Sequence, residues 1–177
     1  MKIANADDKY LEKEIEIEEA YIRYRGKIIH WFAKVELQID ILICSYFCED
    51  HNRALELQFR LISDQVIFDA KYKTLAFIVK NHYSEFETKY PKFLSKIKSM
   101  QETRNIAAHH NFISLWGALN HEVKSEVFFE KFTAKDHKRK IQTTKMNDEI
   151  CNEYVLKCRE TREILNSLLI HIIQNRK

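Results

Sequence analysis

The chain has 177 residues, 29 Lys+Arg against 26 Asp+Glu, and is 45% hydrophobic and 31% charged. That length and balance fit one globular domain with a real core and exclude wholesale disorder. Two glycines and one proline leave too few turn residues for a sandwich, barrel or Rossmann-type fold. Glycine-rich phosphate loops cannot be written with Gly26 and Gly117 alone.

What remains is mostly helix. A net charge of +3 does not by itself imply nucleic acid. The start, MKIANADDKYLEKEIE, has no apolar h-region. The longest apolar run, Ile39 to Cys48, is interrupted by Asp40 and is too short to span a bilayer. A cytoplasmic protein without membrane association is expected. Cys44, Cys48, Cys151 and Cys158 lack C-x-x-C spacing and read as reduced core thiols, not a metal site. No E-x-x-H occurs, which argues against a di-iron bundle. No metal or cofactor is expected.

In chain order, residues from about 7 to 24 predict an acidic helix with Asp7 and Asp8 near its amino end, where the macrodipole favours negative charge. Gly26 is expected to break or bend the chain before a second helix over about 27–49. There Ile28, Trp31, Phe32, Val35, Ile39, Leu42, Cys44, Tyr46 and Phe47 form a broad apolar stripe. A short helical piece near Ala54 to Leu61 follows. Ser63 reads as the N-cap of a helix over about 64–82 that buries Val66, Ile67, Ala70, Leu75, Phe77 and Ile78. Pro91 suits the first turn of the next helix, which carries Phe93, Leu94, Ile97, Met100 and Ala107 at helical spacing.

After Asn111 the period changes. Val127, Phe129 and Lys131 fall at alternate positions, and Ile141 to Thr144 answer as a second strand, which predicts a β-hairpin. The last helix, about 147 to 175, repeats Ile150, Tyr154, Val155, Cys158, Leu165, Leu168, Leu169, Ile172 and Ile173 at three and four. The expected fold class is all-α. It is an up-down bundle of four to five long helices, with a small β-hairpin insertion before the last, in a single domain over 1–177.

One segment carries chemistry: Glu102-Thr103-Arg104-Asn105-Ile106-Ala107-Ala108-His109-His110-Asn111. On a helix, Asn105 and His109 are four apart and share a face. Arg104 lies about 140° round from His109 and ~7.5 Å along the axis, within reach for a long side chain. Arg supplies a permanent cationic fork for phosphate oxygens, and His a proton donor and acceptor near neutral pH. These are parts for cleaving a phosphodiester without metal. The competing reading is a structural pair, with Arg104 bound to an acid such as Glu102 and His109 packed away.

The stretch R-N-x-x-A-H, on the penultimate long helix of a small all-α chain, resembles the HEPN superfamily signature R-x4–6-H. Trp31, Glu36 and Asp40 on the broad apolar stripe are similar to its first core helix, and Phe68 to Ile78, with Lys71 and Lys73, resemble the next. The resemblance implies a metal-independent endoribonuclease acting in a toxin–antitoxin pair, in phage defence or in RNA processing. It also implies a composite site across a homodimer. By it Arg104 would stabilise the scissile phosphate, His109 would be general acid or base, and Asn105 would orient phosphate or imidazole. His110 also satisfies the spacing, as an alternative or auxiliary imidazole. The partner class implied is a nucleotidyltransferase-type antitoxin. The alternative within the same fold is a non-catalytic module that binds a nucleotide, RNA or partner protein.

Basic residues supply a surface for an RNA backbone: Lys89, Lys92, Lys96 and Lys98 without an intervening acid, then Lys131, Lys135, Lys138, Arg139, Lys140 and Lys145 with Asp136 alone against them. Of these, Lys92, Lys96, Lys138, Arg139 and Lys140 are the RNA-binding candidates. Phe112, Trp116, Phe128 and Phe132 could stack on unpaired bases, although aromatics at such spacings are more often core.

Overall fold

The computed structural model describes residues 6–109, 111–112, 127–135 and 138–175. In the strands, side chains are described for Phe129 and from Thr144 onward. Among the described residues the chain is mostly helical, as its composition requires. The order is α1 (Ala6–Phe47), α2 (His51–Leu57), a π-helical segment (Gln58–Ile62), α3 (Ser63–Gln65), α4 (Phe68–His82), α5 (Ser84–Lys89), α6 (Phe93–His109), β1 (Asn111–Phe112), β2 (Val127–Lys135), β3 (Lys138–Met146) and α7 (Asp148–Gln174). The chain divides into two compact units. One is Met1–His30 with Glu102–Val155, and the other is Trp31–Gln101 with Leu156–Lys177.

The expected break at Gly26 does not occur, because α1 runs unbroken for 42 residues. A glycine inside a helix costs about 1 kcal/mol relative to alanine. Tyr24 and Ile28 on either side of it are fully buried, and burying each such side chain is worth about 1.5–3 kcal/mol. Packing outweighs propensity, and the helix continues.

In the first unit, Tyr24, Ile28, Ala107, Phe129, Met146, Cys151 and Tyr154 are buried. Strands β1, β2 and β3 pair antiparallel in that order, with Phe129 opposite Thr144 and Val127 opposite Met146. The Tyr21 and Phe129 rings lie 5.1 Å apart and tie α1 to β2. Arg23 reaches Asp148 at 3.6 Å across exposed surface. Burial pushes the Cys151 thiol above its ordinary value.

In the second unit, Phe32, Val35, Ile39 and Leu42 of α1 are buried, as are Phe93, Leu94, Ile97 and Met100 of α6 and Cys158, Leu165, Leu168 and Ile172 of α7. The Cys158 thiol donates to Met100 Sδ at 3.6 Å. At the ends of these stripes Phe47 and Ile173, expected inside, are exposed, as is Ile150 in the first unit.

Between α1 and α4 the structure departs from expectation. Asp50 caps α2, accepting from the Arg53 amide at 2.9 Å. The chain then widens through the π-helical segment, where the Ser63 amide reaches back to the Gln58 carbonyl, and Val66 and Ile67 are extended before α4 begins at Phe68. Ser63 therefore caps no helix amino end; its hydroxyl donates to Asp40 Oδ2 at 3.2 Å. Ile67 is 73% and Phe77 56% exposed, because the inward face of α4 is Lys71, Leu75, Ile78 and Val79. Phe77 stands about 200° round from Leu75.

Lys71 is the deepest charge described, 1% exposed. Its ammonium donates to Glu36 Oε1 at 2.9 Å and Asp40 Oδ2 at 3.0 Å. Asp40 Oδ1 is also 3.0 Å away but without hydrogen-bonding alignment. Burial alone would lower the Lys71 pKa; the hydrogen bonds to both carboxylates outweigh it and hold it above the ordinary lysine value. Burial pushes Asp40 upward, only partly opposed by Lys71. Burial together with nearby Asp40 raises the Cys44 thiol to about 11.

Pro91 sits in a turn ahead of α6 and not within its first turn. Lys92, at φ 68°, cannot be helical. Its carbonyl accepts from the Lys96 amide at 2.9 Å and the Ser95 hydroxyl at 2.8 Å.

Two stability changes are expected. A Cβ at Gly26 meets nothing within 4 Å, so Gly26→Ala should stabilise by about 0.5–1 kcal/mol in urea unfolding. Lys71→Met strands Asp40 and should destabilise by about 3–5 kcal/mol, whereas Lys71→Met with Asp40→Leu and Glu36→Gln should recover most of that. The single variant's deficit should narrow on acidification, since unopposed Asp40 then binds a proton in the folded state. In the wild type, the contribution of the raised Lys71 is full at neutral pH and is lost only as pH rises above the ordinary lysine value of 10.5.

Candidate active site

The chemistry-bearing segment occupies the last two turns of α6, within the first unit. Helical spacing puts Asn105 and His109 on one face. Arg104 and Asn105 are half-buried, and His109, the last helical residue, is exposed. Ala107 is buried, which seats this end of the helix against the unit's core.

Arg104 Nη1 donates to Asn105 Oδ1 at 3.0 Å. Glu102, the acid that could neutralise it, does not, and Arg104 forms no ion pair among the described residues. The guanidinium keeps its charge and spends one donor on holding the adjacent amide. His109 makes no hydrogen bond or ion pair among the described residues. The arrangement is therefore a fixed cation with an open imidazole one turn on, able to meet an anion and exchange a proton with it.

What fixes this helix end was not readable beforehand. The last carbonyls of a helix lack intrahelical donors. Arg25, on α1, fills one of these positions: Nη2 donates to the Ala108 carbonyl at 2.9 Å, and Nη1 to the Tyr21 hydroxyl at 3.0 Å. Tyr21 in turn packs on Phe129. A chain of contacts thus runs from β2 through α1 to the residue before His109. Tyr21 and Arg25 at i, i+4 were a local signal, but their target is 83 positions away, and no pattern in the sequence names it.

Lys92 and Lys96 are exposed and belong to the second unit. Lys138, Arg139 and Lys140 form the start of β3, paired with Lys135, Ala134 and Thr133, but their side chains lie outside the described residues. So do His110 and Trp116 entirely, and the side chains of Phe112, Phe128 and Phe132. Among the described residues no three of His, Cys, Asp and Glu converge on a metal position, and no helix is long and apolar enough to cross a membrane. No protein-family model, curated protein or solved structure matches this chain.

Arg25→Met removes a charged donor from a half-buried helix end while keeping the stem's packing. It should destabilise by about 1.5–3 kcal/mol and raise amide exchange in the last turn of α6, read by hydrogen–deuterium exchange, with Arg25→Lys intermediate.

Proposed function

We propose that the chain is a HEPN-like, metal-independent endoribonuclease. The observation that carries the reading is the last turns of α6: a guanidinium without an acidic partner among the described residues, hydrogen-bonded to Asn105, with exposed His109 four residues beyond that amide. The resemblance of R-N-x-x-A-H to the HEPN signature gives those groups their roles.

In this mechanism Arg104 binds the non-bridging oxygens of a phosphodiester. A 2′-oxygen, its proton taken by an imidazole, attacks phosphorus. The P–O5′ bond breaks, and the leaving oxygen receives a proton. The products are a 2′,3′-cyclic phosphate and a 5′-hydroxyl end, with no redox change and no co-reactant. The guanidinium matters most at the phosphorane, where charge on the equatorial oxygens is greatest. Asn105 holds Arg104 in place. One imidazole cannot easily act on both sides of the phosphorus, so a homodimer in which two copies of the motif meet would supply base and acid together. Toxin, phage-defence or RNA-processing roles in the cytoplasm, and a nucleotidyltransferase-type antitoxin as partner, belong to the same reading. So does the up-down arrangement of the long helices with a hairpin before the last.

The test is cleavage of single-stranded, structured and transfer RNA in excess EDTA. The wild type should cut and leave cyclic-phosphate ends. His109→Ala should lose about 10²–10⁴-fold and Arg104→Ala about 10²–10³-fold, both as folded proteins of wild-type oligomeric state. His110→Ala should retain activity. Binding that depends on Arg104 without any turnover would replace the enzyme with a non-catalytic RNA or nucleotide module. Equal cleavage by all variants would remove the motif's claim.

A further inference from the structure

The second unit holds a cluster of cations that the α6 reading does not use. On α1, Lys34 Nζ lies 4.3 Å from the Trp31 ring centroid. On α7, the Arg159 guanidinium carbon lies 4.7 Å from the same centroid. The two charges are thus no further apart than those distances together, about one Debye length at physiological salt. Arg162, three residues after Arg159, shares its helix face. It is half-buried, and its Nε is buried without a hydrogen-bond partner.

Like charges gathered this closely are normally offset by carboxylates. Here none is, among the described residues: Lys34, Arg159 and Arg162 form no ion pair. Glu160 and Glu163 on α7 do not reach them, and Glu36 on α1 is taken by Lys71. The indole orders Lys34 and Arg159 through cation–π contact. A guanidinium stacked on a ring keeps its N–H donors at its edge, directed away from the ring. Arg162, with Nε sealed, has only its Nη groups to offer.

The geometry points to a phosphate-binding platform formed by Trp31, Lys34, Arg159 and Arg162, whose ligand is a phosphate group carried on RNA or on a free nucleotide. Two guanidinium forks three residues apart on one helix, with an ammonium against the same indole, suit phosphate oxygens. The inference goes beyond the α6 site and requires no turnover, so a failure to cleave RNA leaves it standing.

The experiment uses the full chain with Trp116→Phe, which leaves Trp31 as the sole indole. Inorganic phosphate, adenosine monophosphate and a single-stranded RNA oligonucleotide are titrated while Trp31 emission is followed. A saturable change with any of the three is expected; the tightest probe identifies the source of the phosphate. Arg159→Gln with Arg162→Gln should weaken that binding at least tenfold. With RNA it should also reduce the slope of log affinity against log salt by about one to two. Circular dichroism should be unchanged. No emission change with any probe would overturn the proposal. So would equal affinity in the double variant, or equal binding of polyglutamate of matched charge.

Discussion

Lys71 is the constraint on which the second unit depends. An ammonium at 1% exposure is tolerable only because two carboxylates of α1 receive it. That requirement fixes the rotation of α4 against α1 and hence which apolar residues of α4 are covered. It also recruits Ser63, whose hydroxyl goes to Asp40 and not to a helix end. A hydrophobic cluster could slide by a residue at modest loss; a buried charge cannot leave its partners without a large penalty. The triad sets register, whatever its net contribution to stability.

The same residue chemistry does opposite work elsewhere. Arg25 is consumed by structure, with a carbonyl and a hydroxyl on its two Nη groups. Arg104 is held by one neighbouring amide and has no acidic partner among the described residues. Arg159 rests on an indole. Charge count cannot separate these cases. The partner does: a carboxylate or carbonyl satisfies an arginine, whereas an aromatic face or a single amide orders it and leaves donors for a ligand.

Much of the helical skeleton was readable from spacing. The buried residues of α6, from Phe93 to Ala107, and the central positions of α7 fall at three and four as periodicity requires. Errors cluster where a local signal met a tertiary demand. Gly26 is a breaker by propensity, yet buried Tyr24 and Ile28 carry the helix through it. Ser63 is a good cap by type, yet a buried carboxylate competes for its hydroxyl. Ile67 and Phe77 are apolar and suitably spaced, yet a lysine claimed the inward face of α4. Pro91 stops short of α6 because Lys92 takes a left-handed turn first. The short helix α5 left no periodic mark.

The order of residues alone carried the helical class, the apolar faces of the long helices and the presence of Arg104, Asn105 and His109 within one stretch of α6, because helical geometry converts sequence spacing directly into direction. It could not carry the Arg25 contact to the Ala108 carbonyl, the burial of Lys71 between Glu36 and Asp40, or the meeting of Lys34 and Arg159 on Trp31. Each joins groups on different helices, many residues apart. Which cation is neutralised, which is stacked and which stays open depends on which distant group arrives beside it, and that is set only when the helices pack.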